Sequence, residues 1–456
     1  MSVSAHSTTW YVSTSGSDSN SGTQTSPFLT IQKGVDSASS GDTVSVANGT
    51  YTYTGASDGI LVNLNNSGSA GNLITLAAQN PGQVFLNGNS NLGGYGINVS
   101  ANYWKISGLD ISGFYNAGIF YNGGGGTSGQ NISIFNNVVH NNGNVGNTST
   151  SYGLAGMFAN VNASNWIVNA NVVHDNGRAG GLPNPNHDHG MYFDGFNFLV
   201  TNNIFYNALY GWHFQLETGA SLIYLFNNTF YGPAGSEVPN DEPGSIVLAD
   251  SNANVFIRNN IFYNPYQNGI FTYNSTISGS CNIDHNIVFS TTSNSLTMLN
   301  STPAGCTVAN NQLNVDPLLV STGTLNFRLT SASPAISAGV VTSSVTSDFA
   351  GNSRSGGNDI GAFEFVSGGG TGVGTAKPGG WTCTLRQGNG ASSGGATVTD
   401  SVSCNSGEIA MLGGCNWDNT TTTQKYSGAP TGQGYTCSGI SLSGTHTITS
   451  YINCCK

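Results

Sequence analysis

Asn197-Phe198-Leu199-Val200-Thr201-Asn202-Asn203-Ile204-Phe205-Tyr206 returns, little altered, as Leu222-Ile223-Tyr224-Leu225-Phe226-Asn227-Asn228-Thr229-Phe230-Tyr231. It returns again as Asn254-Val255-Phe256-Ile257-Arg258-Asn259-Asn260-Ile261-Phe262-Tyr263, with looser copies at 131–140, 165–174, 281–289 and 306–311. The recurring asparagine falls at 137, 171, 203, 228, 260, 286 and 311, so the spacings are 34, 32, 25, 32, 26 and 25. A floor of 25 with insertions above it is the period of one solenoid coil whose loops differ in length. Within each copy apolar residues alternate with polar ones, as in a strand. Asparagine suits the repeat because it tolerates a left-handed turn and its amide can hydrogen-bond from coil to coil.

Each coil carries a second strand after a variable loop, at 118–122, 156–160, 190–194, 211–215, 245–249 and 269–273. Stacking these strands predicts an outward column of Phe120, Phe158, Tyr192, His213, Val247 and Phe271. Its companion column is Asn122, Asn160, Asp194, Gln215, Ala249 and Tyr273. Met191, Phe193, Trp212, Phe214 and Leu216 are expected to point inward. The insertions 140–153, 175–188 and 232–244 all precede these strands and are expected to wall a groove on that face.

Composition agrees with an all-β chain. There are 64 glycines in 456 residues, and only 7% of residues are charged. A net charge of −11 argues against nucleic acid and anionic membrane surfaces as partners. No apolar run is long enough to insert in a membrane. Six of the eight cysteines crowd into 383–455 among Gly, Ser and Thr. That density predicts a small disulfide-stapled β module (381–456) in an oxidising compartment, joined by a Gly-rich linker at 366–380. The other two, Cys281 and Cys306, each sit five residues before a repeat asparagine and are expected to bond across adjacent coils. Secretion is expected, with a signal peptide trimmed from Met1-Ser2-Val3-Ser4-Ala5-His6. Ser26-Pro27 reads as an N-cap and first helical residue, placing a capping helix at 27–38.

The repeat resembles the right-handed parallel β-helix proteins, a group rich in polysaccharide lyases, with glycoside hydrolases, uronate epimerases and tailspikes among them. Residues 10–51 look like the usual entry to such secreted carbohydrate-active helices, and 316–364 like the usual closing segment. The resemblance covers 10–365 and implies a right-handed parallel β-helix over 1–365 acting on a polysaccharide. The Asp-Pro-His motif of the epimerases is absent; this chain has Asn186-His187-Asp188-His189.

Chemistry concentrates at 186–217, which holds three of the eight histidines. A β-elimination needs a base for the C5 proton, an acid for the leaving oxygen and a group to neutralise the uronate carboxylate. His189 or His213, with His187 nearby, are the candidate bases, Tyr192 the acid and Arg178 the neutraliser. Asp194 and Glu217, with Asp250 and Glu242, are the alternative: a carboxylate pair for a glycoside hydrolase. Phe120, Phe158, Phe271 and Tyr273 suit stacking on pyranose faces, with Asn160 and Gln215 as polar contacts. The groove lacks a row of Lys or Arg, which counts against a heavily charged polymer. No cofactor is expected; calcium would suit the Asn/Asp-rich turns, but no dense acidic loop appears. His140 and His174 share a repeat position with tyrosines and read as structural. A non-enzymatic alternative is a glycan-binding adhesin, tailspike-like protein or filament subunit, which has no need to converge His189, Tyr192 and His213.

Overall fold

A computed structural model describes residues 7–56, 59–90, 92–123, 128–143, 154–177, 188–208, 211–232, 244–292, 296–354 and 357–367, together with strands between 383 and 455. The chain divides into two compact units. The first comprises 1–317, 334–349 and 353–362; the second comprises 318–333, 350–352 and 363–456.

The first unit is a parallel β-helix. One sheet has ten strands, running from Gly49–Thr52 to Gln312–Leu313. The other has sixteen, because the long strands Leu154–Asn169, Asp188–Thr201, Ile246–Arg258 and Asn268–Asp284 bend and pair with their two halves separately. Every pairing among these strands is parallel. The sequence period is therefore the coil period, and the ten-stranded sheet counts ten coils, three more than the recognisable asparagine repeats. Inside, fully buried Val, Ile, Leu, Phe and Trp side chains form one continuous core from Val12 to Met298.

The repeat asparagines build a ladder through that core. Asn137 Nδ2 donates to Asn171 Oδ1 at 3.0 Å, Asn171 to Asn203 at 3.0 Å, and Asn203 to Asn228 at 3.0 Å. The chain continues through Asn260 and Asn286 to Asn311. Each Oδ1 also accepts the backbone N–H of the preceding ladder residue, and each Nδ2 also donates to a backbone carbonyl of the coil before. The amides are thus satisfied although Asn203, Asn228 and Asn260 are fully buried.

The two properties expected of one asparagine are divided between two. The left-handed residue is the one before the ladder: Asn136, Asn202, Asn227, Asn259 and Asn310 have φ of 55–57°. Three of these side chains face the closing segment. Asn202 Nδ2 donates to the Ser347 carbonyl, Asn227 Nδ2 to that of Asp359, and Asn259 holds Val340 through both its oxygen and its nitrogen.

The capping helix is shorter than expected, spanning Ile31–Ser37. Thr30, not Ser26, is the N-cap, its hydroxyl accepting from Lys33 N. Asp18 takes the backbone N–H groups of Leu29 and Thr30, both at 2.9 Å, and so holds the preceding residues out of the helix. Cys281 and Cys306 lie opposite one another in adjacent coils and are bonded, with Cα atoms 4.5 Å apart. His140 and His174 stack at 4.7 Å on the ten-stranded sheet, away from the expected groove. Burial alone would lower the His140 pKa, but the Asp110 carboxylate at 3.0 Å and the Asn141 amide push it up to about 9.

In the second unit Leu319–Ser321 pairs antiparallel with Asn326–Leu329. The strands between 383 and 455 form antiparallel sheets of four and three. Residues 368–382, most of the expected linker, lie outside the described residues.

Replacing Asn203 by Leu leaves the backbone N–H of Asn171 without its acceptor in the core and takes one bond each from Asn171 Nδ2 and the Val168 carbonyl. At about 1–3 kcal/mol for the orphaned group, chemical denaturation should show a loss of that order; a loss under ~1 kcal/mol would remove the ladder from the account of stability. The double variant Cys281→Ser, Cys306→Ser should lose about 2–4 kcal/mol from the opened loop. A melting temperature equal to that of the parent would sink that claim.

Candidate functional site

The bent strands set the register of the outward face. Phe120, Phe158, Tyr192, Gln215, Val247 and Phe271 form one column. Gln215, not His213, is therefore the neighbour of Tyr192. His213 stands two residues back, level with Gly190, and its ring lies 6.4 Å from Phe205 and 5.9 Å from Phe230, both core residues. The strict alternation assumed from sequence breaks there, because the chain is still turning onto this face. A Cβ at Gly190 would lie 3.3 Å from Val173 of the ten-stranded sheet, so this position looks inward in both coils. Burial lowers the His213 pKa to about 3, and neither ring nitrogen has a hydrogen-bond partner among the described residues.

The same break turns Trp212 outward. It joins Val247, Ala249 and Phe271 in a small cluster separate from the main core, and the His189 ring stacks on it at 5.3 Å and 11°. His189 is 1% exposed and its ring is 5.6 Å from that of Tyr192. Of the sequence-expected histidines, His189 alone is placed beside Tyr192; His187 and Arg178 lie outside the described residues, as does Glu242.

Next to Tyr192 the companion column brings Asp194 and Glu217 together. Phe193 pairs with Leu216, so the residues that follow them are neighbours one strand apart, about 4.8 Å. Tyr192 donates its hydroxyl proton to Glu217. Gln215 Nε2 donates to the same carboxylate at 2.7 Å, and Thr218 Oγ1 bridges Glu217 and Asp250 at 3.1 Å each. Burial, then the Glu217 and Asp194 charges, push the Tyr192 phenol well above its ordinary value. Burial and the Glu217 charge raise Asp194 to about 6. Both groups are proton donors in mildly acid solution. Thr218, absent from the sequence-based set, was hidden because a hydroxyl one residue past a strand end carries no pattern of its own.

On the other side of Tyr192 the aromatic rings form a ladder. Tyr192 stacks on Phe158 at 4.7 Å, Phe158 on Phe120 at 5.4 Å, and Phe120 on Tyr95 at 4.2 Å. Tyr95 lies in Gly93–Val99, before the recognisable repeats begin, and so escaped the sequence reading. Because the rings face one another, a ligand meets ring edges rather than the open faces expected. Asn160 ties its turn to the preceding coil, Nδ2 donating to the Asn122 carbonyl while Oδ1 accepts from Val161 N. Tyr273 is 44% exposed at the far end of the face. Among the described residues no three His, Cys, Asp or Glu side chains converge as a metal centre requires.

Residues 10–214 match the family model described as the Pel9A-like right handed beta helix region. Among solved structures, pectate lyase Pel9A is 17% identical with a TM-score of 0.52, over 79% of this chain and 97% of that one. An alginate lyase from Paenibacillus sp. str. FPU-7 is 18% identical with a TM-score of 0.49, over 67% and 95%. No curated protein matches. The likeness is one of fold: the chain is a right-handed parallel β-helix, as its repeat implies. No helix is long and apolar enough to cross a membrane among the described residues.

His213 titrates near 3 when folded and near 6.5 when free, so its neutral form supports the fold fully above about pH 6.5 and less as pH falls towards 3. His213→Met should therefore flatten the drop in melting temperature between those values. Parent and variant curves of equal slope would place the ring in contact with solvent.

Proposed function

We propose that the chain cleaves a polysaccharide laid along the aromatic ladder, by β-elimination at a uronate sugar beside Tyr192. The observation that carries this reading is the end of the ladder: an apolar strip runs one ring per coil into Tyr192, Asp194 and Glu217. Folding of the strands needs none of these three, since Met191, Phe193, Phe214 and Leu216 fill the core beneath. The match of residues 10–214 to a Pel9A-like model, and a solved relative titled a pectate lyase, support elimination over other chemistry. The disulfide between Cys281 and Cys306 supports an exported protein.

In this mechanism His189 removes the C5 proton. The electron pair forms the C4–C5 double bond, the C4–oxygen bond breaks, and the leaving oxygen takes the Tyr192 proton. Glu217 orients the Tyr192 hydroxyl by accepting its hydrogen bond, and Gln215 holds Glu217 in turn. Arg178 is assigned to the uronate carboxylate, which otherwise meets the Asp194 and Glu217 charges.

A second reading, hydrolysis, is favoured by Asp194 itself. A carboxyl group raised to about 6 beside a second carboxylate is the acid half of a hydrolytic pair. The two readings separate on a panel of uronate-containing and neutral polysaccharides, followed by the ultraviolet absorbance of unsaturated products and by reducing ends. Elimination requires both signals, and Tyr192→Phe and His189→Ala should each lower turnover by about 10²–10⁴-fold, Tyr192→Phe with little change in stability. Hydrolysis gives reducing ends alone, is lost in Asp194→Asn, and falls as pH rises through about 6, where Asp194 gives up its proton. Glycan bound without either product assigns the chain to the adhesins.

A further inference from the structure

We propose a second saccharide-binding site on another face of the same coils, taking a neutral sugar unit. Strand Asp188–Thr201 carries Tyr192 and Asp194 in its first half. Its second half joins Ser221–Phe226 and the end of Ile246–Arg258 to floor a recess of about 460 Å³, closed on one side by Val341 to Ser344. That volume falls within the ~300–1,000 Å³ range of small-molecule pockets.

The floor is aromatic. Tyr224 and Phe226 line it and meet edge-on at 63°, and Phe256 of the next coil backs Tyr224, stacked at 5.2 Å and 7°. The wall is polar and fixed in place. Asn259 holds Val340 by hydrogen bonds of 2.8 and 2.9 Å, so the residues that follow it start from an anchored backbone. Ser343 and Ser344 line the recess as exposed residues, so their hydroxyl groups are open to a ligand.

Charge selects the ligand class. Among the described residues Arg258 is the only ionisable cation lining the recess, and its Nε lies 3.0 Å from Asp284 Oδ2. The guanidinium is already neutralised, so a uronate or a phosphate gains little there. An aromatic floor, hydroxyl groups along one wall and no net charge fit a neutral pyranose or furanose, which has apolar C–H patches and many hydroxyls. The ligand preference is thus the opposite of that at Tyr192, and the inference stands whether or not cleavage occurs there.

Calorimetric titration of the full chain with xylotriose, cellotriose and mannotriose, against trigalacturonate, tests it. At least one neutral trisaccharide should bind. The double variant Ser343→Ala, Ser344→Ala should weaken that binding by about 2–10-fold, and Ser343→Trp, at an exposed position that fills the recess, should abolish it. Tyr192→Phe should leave it unchanged. No neutral binding at all overturns the site, as does binding that survives Ser343→Trp or is lost in Tyr192→Phe. Trigalacturonate binding that Ser343→Trp removes overturns the charge argument. Failure of the cleavage reading shows separately, as absent products with this binding intact.

Discussion

The buried amide ladder is the constraint on which the rest of this structure depends. A solenoid coil of 25 residues must turn sharply several times, and each turn brings backbone polar groups close to the core. Asn171, Asn203, Asn228 and Asn260 take up those groups from the coils on both sides. Because each amide is satisfied only by its neighbours, the coils cannot slip relative to one another without orphaning buried donors. Register is thereby fixed at one corner, and the loops elsewhere are free to vary in length. The same asparagine pairs hold the closing segment from outside, through Asn202, Asn227 and Asn259.

Where the sequence carried period, it was legible to the residue. The bond between Cys281 and Cys306 could be read because both sit at the same offset from a ladder asparagine, and parallel coils turn equal offset into adjacency. The site was less legible because it depends on parity rather than period. Counting alternation through Gly211–Leu216 placed His213 outward and Trp212 inward, and the structure reverses both. A corner of one residue is enough to do this, and glycine-initiated strands conceal it. Gly118, Gly156 and Gly190 at the same level were the available hint: a side chain there would run into Val139, Asn176 or Val173. The helix boundary failed for a different reason. Ser26-Pro27 is a sound local start signal, but the Asp18 carboxylate, distant in sequence, claims the next backbone groups.

The candidate site has a physical character distinct from its surroundings. A face that is otherwise apolar and stacked gathers a phenol and two carboxyl groups within bonding reach, and their mutual repulsion opposes ionisation of Asp194. A fold gains nothing from such an arrangement. Groups whose environments push protonation upward are expected where protons are to be moved. The aromatic ladder beside them supplies spacing: one ring per coil makes the coil rise the natural ruler for anything that lies along it.

The covalent link between the strands at 281 and 306 gives the solenoid a direction in which to come apart. In a one-dimensional stack each coil is held only by its neighbours, so thermal opening begins at an end and travels inward. Riveting two consecutive coils near the later end raises the barrier to peeling from that side. At the other end the cover is a helix of seven residues packed on Val12 and Val44. Unzipping, under heat or under mechanical pull, is thereby biased to start with the earliest coils, and the coils bearing Tyr192 and Glu217 are reached only after those before them have gone.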